Sequence, residues 1–313
     1  MPIMILRRIA SGVAVLLVVA VLTFLMLFLS SGNVARNILG DQATEEAIAA
    51  KNAELGLDQP LLSRLVTWLG DAVQGDFGKS YFTNEPVFDA IGSRLPVTLV
   101  MVIISIVIIA VIATLLGMVA AVRRGWVDRL VQILAVVGNS IPGFIIGVLL
   151  VWLFAIRLGW FDAVSTIEPG AGVGAWISSL SLPIIALVIN GVASAAQQIR
   201  SAFIRQLEQD YVRTLRSRGI SEREILFRHV LRSAAPAGLT VLSLQFIGLL
   251  GGVVIIESIF AIAGMGRLAV TATTMGDLPL VMGVVIYTVV IVIVVNLIVD
   301  IVNGWLNPKV RAA

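Results

Sequence analysis

Apolar runs long enough to cross a lipid bilayer recur along this chain, separated by polar stretches rich in glycine, proline and charge. A helix crosses the hydrocarbon core in roughly 20 residues. Six segments offer that length: about Ile9–Leu29, Val97–Val122, Leu130–Ala155, Leu182–Ile199, Gly238–Ile256 and Val281–Asn303. The fourth is the shortest and most polar, with Asn190, Ser194, Gln197 and Gln198. The third carries Asn139, Ser140 and Pro142, which loosen a helix. The pattern predicts an all-α, polytopic membrane protein with six transmembrane helices.

Two polar stretches have patterns of their own. In Ser30–Pro96, Thr44 can cap a helix running through Glu54, which Gly56 ends. Pro60 opens a second helix, with Leu61, Leu62, Leu65, Trp68 and Leu69 at helical spacing and Gly75 and Gly78 beyond its end. That stripe suits a helix lying on the membrane surface or on the other spans. The stretch Arg200–Arg232 holds eight arginines against four acids, Glu208, Asp210, Glu222 and Glu224. It reads as two helices. The first covers Phe203 to Arg218, and Gly219 sits where a helix end takes a left-handed residue. Ser221-Glu222-Arg223-Glu224 is a capping box that starts the second, with Leu226, Phe227, Val230, Leu231 and Ala234 on one side and Pro236 leading into the fifth span. Setting topology needs arginines, but not two caps and a fixed turn. The hairpin 200–236 therefore reads as a docking surface for a cytoplasmic partner. Two shorter loops, Gly159–Ser181 with Trp160, Phe161 and Trp176, and the glycine-rich Ser258–Leu280, complete the chain.

Composition fixes the class and charge fixes the orientation. The chain is 58% hydrophobic and 13% charged, with mean hydropathy +1.02, more apolar surface than a soluble domain of 313 residues hides. With both termini cytoplasmic, the inside holds 15 of the 22 Lys and Arg and nets +9, while the outside nets −6. The inverted arrangement breaks the positive-inside rule. The overall charge of +3 is thus an orientation signal, not a nucleic-acid footprint. Ile9–Leu29 is too long for the core of a signal peptide and no small-residue cleavage site follows it. The chain has no cysteine, which excludes disulfides and thiol chemistry.

No arrangement of catalytic residues stands out. Gly78-Lys79-Ser80 ends like a phosphate-binding loop, but Val73 occupies the position of the required first glycine. His229 is the only histidine, and its place in the hairpin favours packing or docking over catalysis. Ionisable residues inside spans cost about 2.5–3.5 kcal/mol each and mark ion or proton routes. Only Glu257 and Asp300 come close, both near span ends, so a proton-driven carrier is the less favoured reading. Gly143/Gly147 and Gly248/Gly252 are spaced for close helix approach. Asn139, Ser140, Asn190, Ser194, Gln197 and Gln245 are uncharged amides and hydroxyls along a seam. They suit a wet path for a polar solute or, residue by residue, hydrogen bonds between helices.

The stretch Glu208-Gln-Asp-Tyr-Val-Arg-Thr-Leu-Arg-Ser-Arg-Gly219 resembles the cytoplasmic loop of ABC-importer permeases, most closely the B-type subunit of dipeptide, oligopeptide and nickel importers. Arg7-Arg8, Glu54–Pro60, Gly75–Ser80, Arg94–Pro96, Ser140–Pro142, Glu257–Phe260, Gly264–Arg267, Asn296–Asp300 and Asn307-Pro308 extend the likeness along the whole chain, with departures at Gln197, Pro236 and Ala263. The resemblance implies a type I ABC importer permease fold in the bacterial cytoplasmic (inner) membrane. It divides the chain into 1–96, the first span plus an external segment; 97–303, the transmembrane core; and 304–313, a cytoplasmic tail. It implies a non-enzymatic subunit that imports peptides, or in the same family nickel or another small solute. Its partners would be a second permease, two cytoplasmic ATPases and an external substrate-binding protein, besides membrane lipid. The chain itself would carry no cofactor; ATP and Mg would bind the ATPases. Glu208–Ile220 would be the coupling helix, and ATPase docking would involve Glu208, Asp210, Tyr211, Val212, Arg213, Leu215, Arg216, Gly219, Ser221 and Glu224.

Overall fold

Inside a bilayer the backbone of a span has only itself for hydrogen bonding, and helices account for all the regular structure among the described residues. The computed structural model describes residues 2–30, 34–164, 167 and 171–306. Asn307-Pro308, Lys309, Arg311 and the expected tail beyond Leu306 lie outside that range. Five helices are long and apolar enough to cross a membrane: within α1 (Pro2–Ser30), α5 (Val87–Val122), α8 (Val173–Leu207), the helix from Glu222 to Ile259, and α13 (Leu278–Leu306). The sixth expected span is not one rod. It is two helices, α6 (Trp126–Ser140) and α7 (Gly143–Leu150, continued by a π-helical turn Val151–Arg157), bent by 88°. Ile141 is extended and Pro142 has no N–H to continue the ladder, which is the physical reason for the break.

The chain forms two units: Met1–Met4, Leu99–Ile262 and Val295–Ala313 make one, and Ile5–Thr98 with Ala263–Val294 the other. Division by sequence order at 96/97 groups 263–294 with the core; in the structure these residues group with 5–98.

In the first unit α8 packs against α6, α7 and α11 (Leu231–Ile259). Two glycines let it approach. A Cβ on Gly117 would lie 2.9 Å from the Arg200 backbone nitrogen, and one on Gly138 would lie 2.7 Å from the Ala193 Cβ. Arg200 grips Asp128 with both Nε and Nη2, joining α8 to the start of α6.

In the second unit, α2 (Val34–Leu39), α3 (Glu45–Glu54) and α4 (Leu61–Val73) follow the first span. Thr44 caps α3, its hydroxyl accepting from the Ala47 N–H at 3.3 Å. Leu65, with Leu61, Trp68 and Leu69, packs on Ala20, Phe24, Leu278 and Met282, so the α4 stripe rests on spans; Leu62 is exposed. The glycine-rich stretch 258–280 contains a further helix, α12 (Met265–Met275), and the loop expected over 159–181 ends at Val173, which places Trp176 in the first turn of α8.

Ser80, last residue of the phosphate-loop lookalike, is a structural hub. Its hydroxyl donates to Asp277 Oδ2 at 2.5 Å and accepts from the Phe82 and Thr83 N–H groups. The Tyr81 N–H donates to Asp277 Oδ1 at 3.2 Å. Both Ser80 and Asp277 are buried. Burial pushes the Asp277 carboxyl above its ordinary 3.8, and the hydrogen bonds from Ser80 and Tyr81 pull it part of the way back.

Ser80→Ala strips a buried carboxylate of a donor and should destabilise the protein by about 1–3 kcal/mol. The raised Asp277 value means the folded chain holds this proton more tightly than the unfolded chain. Stability from this group is greatest below pH 3.8, falls as pH rises through the folded-state value, and stays reduced above it. Asp277→Asn should flatten that part of the profile. Thermal unfolding in detergent from below pH 3.8 to neutral checks both; an Asp277→Asn profile as steep as wild type would refute the assignment.

Candidate functional site

The hairpin is built in three pieces rather than two. α8 runs past the span to Leu207, breaks at Glu208-Gln209, and is followed by α9 (Asp210–Ser217). The expected single helix Phe203–Arg218 is thus interrupted: Gln209 is extended (ψ 149°) and serves as N-cap of the new helix. Gly219 has φ +77°, the left-handed value the turn requires. Ser221 caps the next helix, accepting from the Glu224 N–H at 3.3 Å. The capping box is not reciprocal in side-chain use, because the Glu224 carboxylate is taken by Arg228 Nη1 at 3.0 Å. A π-helical turn, Ile225–Val230, then leads into α11 and carries His229 half-buried.

Burial sorts the expected docking residues. Val212 is fully buried, as is Ile225, where α9 packs on the π-turn. Val212 therefore belongs to the hairpin's own core. Tyr211 and Leu215 are half-buried. Glu208, Asp210, Arg213, Arg216, Gly219, Ser221 and Glu224 are exposed. Arg216 donates to both oxygens of Glu222, from Nε at 2.6 Å and Nη2 at 3.0 Å. Those bonds push the Arg216 pKa up and the Glu222 carboxyl down, so both partners favour the ionised pair. Arg124 reaches Glu208 at 2.9 Å, tying the hairpin to the loop after α5. A cleft of about 560 Å³ lies among Arg124, Arg213, Arg216, Arg223, Leu226 and Phe227. Arg124 and Phe227 were legible only as a topology charge and an apolar helix position; nothing local marked them as lining the same surface as α9.

The seam residues divide. Asn190 donates from Nδ2 to the carbonyls of Gly138 and Ile141, both at 3.3 Å. The Gly138 oxygen would pair with residue 142 in a continuous helix, and Pro142 has no hydrogen to give. Asn190 thus supplies what the break removes. It also lines a cleft of about 340 Å³ with Gln245, Pro142, Gly143, Gly248 and Gly252. Asn139, Ser140 and Gln197 are exposed and do not line that cleft; Ser140 Oγ donates to its own helix at Val136 O, 2.8 Å. Ser194 is half-buried and lies 3.5 Å from Gln198 Nε2. Of the spaced glycines, only Gly147 is in close packing, where a Cβ would meet Ile256 Cδ1 at 3.3 Å. At Gly143, Gly248 and Gly252 a Cβ would meet nothing within 4 Å, so these glycines leave the cleft open rather than clamp helices together.

Comparison with known proteins is consistent along the chain. The profile of the binding-protein-dependent transport system inner membrane component matches residues 113–312, and its N-terminal counterpart matches residues 1–102. A protein of Brucella abortus (strain 2308), provisionally named a peptide transport system permease, is 38% identical over 312 residues, 99% of each chain. The glutathione transport system permease protein GsiC of Escherichia coli (strain K12) is 36% identical over 308 residues, 98% of each chain. Among solved structures, a chain of the MetNI methionine ABC transporter in inward facing conformations superposes with a TM-score of 0.56 at 18% identity. It covers 69% of this chain and 96% of that one, a likeness of fold.

A Cβ on Gly219 would meet nothing within 4 Å, so only the backbone angle resists substitution there. Gly219→Val should cost about 1–2 kcal/mol locally, while Gly219→Asn, which tolerates that angle, should cost little. Hydrogen exchange over residues 210–224 checks this: faster exchange in the valine variant alone is expected, and equal exchange in both would refute it.

Proposed function

The chain belongs to the binding-protein-dependent transport system inner membrane components, and from that membership we propose that it is one permease subunit of an ATP-driven importer of di- and oligopeptides. The observation that carries the mechanism is α9. It is a short helix with a buried anchor at Val212 and an exposed charged face, flanked by a break on one side and Gly219 on the other. Such an element can be gripped from outside and can pass a push directly into α8 and α11. In this reading two cytoplasmic ATPases close on ATP, α9 moves with one of them, and the spans tilt. A second permease completes the path and an external binding protein delivers the solute. The cleft between Asn190 and Gln245 offers amide donors and acceptors without a fixed charge, which suits a solute made of peptide groups. The names of the relatives support the substrate class.

The hairpin is cytoplasmic in this reading and the segment 31–86 external, following the positive charge. Ala50 and Ser217 are both exposed, and the chain has no cysteine to interfere. A cysteine at Ala50 should react with an impermeant thiol reagent in intact cells, and one at Ser217 only after lysis. The opposite pattern would overturn both orientation and docking.

In vesicles carrying the full complex, uptake of a labelled dipeptide should require ATP and the binding protein and should persist when the proton gradient is collapsed. Tyr211→Ala should lower transport-linked ATP hydrolysis by about tenfold through loss of an aromatic anchor, with membrane insertion unchanged. Uptake driven by protons through this chain alone would refute the mechanism; nickel uptake without peptide uptake would refute only the substrate.

A further inference from the structure

The second unit holds a cleft that neither the docking helix nor the seam uses. Its volume is about 330 Å³, toward the lower end of the roughly 300–1,000 Å³ of ligand pockets. One face of α4 lines it: Arg64, Thr67, Trp68 and Asp71 stand at i, i+3, i+4 and i+7. Lys79 and Asp76 add one charge of each sign to the lining.

Arg64 is the unusual member. Its guanidinium stands 5.3 Å from the Phe28 ring centroid and 6.0 Å from that of Phe24, and beside the Tyr81 side chain. No carboxylate among the described residues forms an ion pair with it. The half-buried guanidinium interacts with the Tyr81 hydroxyl, and its remaining N–H groups can serve an anion such as a carboxylate. Seven residues further along α4, Asp71 presents the opposite charge. At 1.5 Å per residue the two positions lie about 10 Å apart along the helix. Three extended residues span about that distance, at roughly 3.3–3.6 Å each. The cleft therefore offers an anion site and a cation site on one helix face, carried by positions about one tripeptide length apart along α4.

We propose that this cleft is a peptide subsite on the outer face, taking the carboxylate of a short zwitterionic peptide at Arg64 and its ammonium at Asp71. The proposal rests on the peptide-importer reading and its orientation. It adds a place where the solute touches the permease outside the spans.

The test uses the full chain in lipid nanodiscs, without the binding protein, titrated calorimetrically with trialanine, trialanine amide and N-acetyl-trialanine. Trialanine should bind more tightly than either blocked form. Arg64→Gln should weaken trialanine by about tenfold or more, as loss of a charge-assisted pair does, and leave trialanine amide nearly unchanged. Asp71→Asn should weaken trialanine and leave N-acetyl-trialanine nearly unchanged; it carries the test if Arg64→Gln fails to fold. No binding of trialanine by the wild type, or binding by both variants as tight as by the wild type, overturns the proposal. So does an Arg64→Gln chain that binds trialanine normally but no longer holds the binding protein, since the carboxylate would then be that protein's. Peptide import by a complex whose permease shows no such binding overturns the subsite alone. Binding at Arg64 in a complex that imports no peptide overturns the importer reading alone.

Discussion

Two backbone carbonyls, those of Gly138 and Ile141, lose their helical partners where the chain turns by 88°, and the amide of Asn190 donates to both. In water such a turn is inexpensive. In a bilayer each unpaired group costs several kcal/mol, so a broken span persists only where a neighbour supplies the missing hydrogens. That neighbour is α8, the helix against which α6, α7 and α11 all pack. The same side chain that repairs the break stands in the cleft with Gln245. One side chain thus both satisfies the broken backbone and gives the glycine-lined cleft one of its amides.

The hairpin is held on a different footing. Its ion pairs, Arg216–Glu222, Arg124–Glu208, Arg213–Asp210 and Arg228–Glu224, are numerous but exposed. Pairs of that kind contribute about 0–1 kcal/mol each and are screened by salt. The shape rests more on Val212 and Ile225, which are fully buried, and on the left-handed turn at Gly219. The charges remain free to be traded for contacts with another protein at little loss to the hairpin itself.

What could be read from sequence was local. Thr44, Gly56, Pro60 and Gly219 act within a few residues of themselves, and each stands where its chemistry placed it. The break before α9 could not be read this way, because Phe203–Arg218 has continuous helical character and no glycine, proline or side-chain cap marks the end of α8 at Leu207. Pro142 announced a disturbance but not its angle, nor the donor to the freed carbonyls, Asn190, 48 residues away in sequence. Ser80 looked like part of a phosphate loop because its true partner, Asp277, is 197 residues distant. Leu62 and Leu65 carry the same side chain, and only the tertiary structure separates an exposed one from a buried one.

The pairing of Ser80 with Asp277 also sets an order of events during synthesis. Residues 5–98 and 263–294 form one unit, and the whole of 99–262 is made between them. A chain threaded into the membrane from its first residue must therefore hold residues 5–98 unfinished while at least four further helices emerge and insert. During that interval Leu65 and Trp68 lack the cover of Leu278 and Met282, and Ser80 lacks its acceptor. The segment completed last in space is among the first made in time, and its apolar stripe must wait against the lipid surface until the final span arrives.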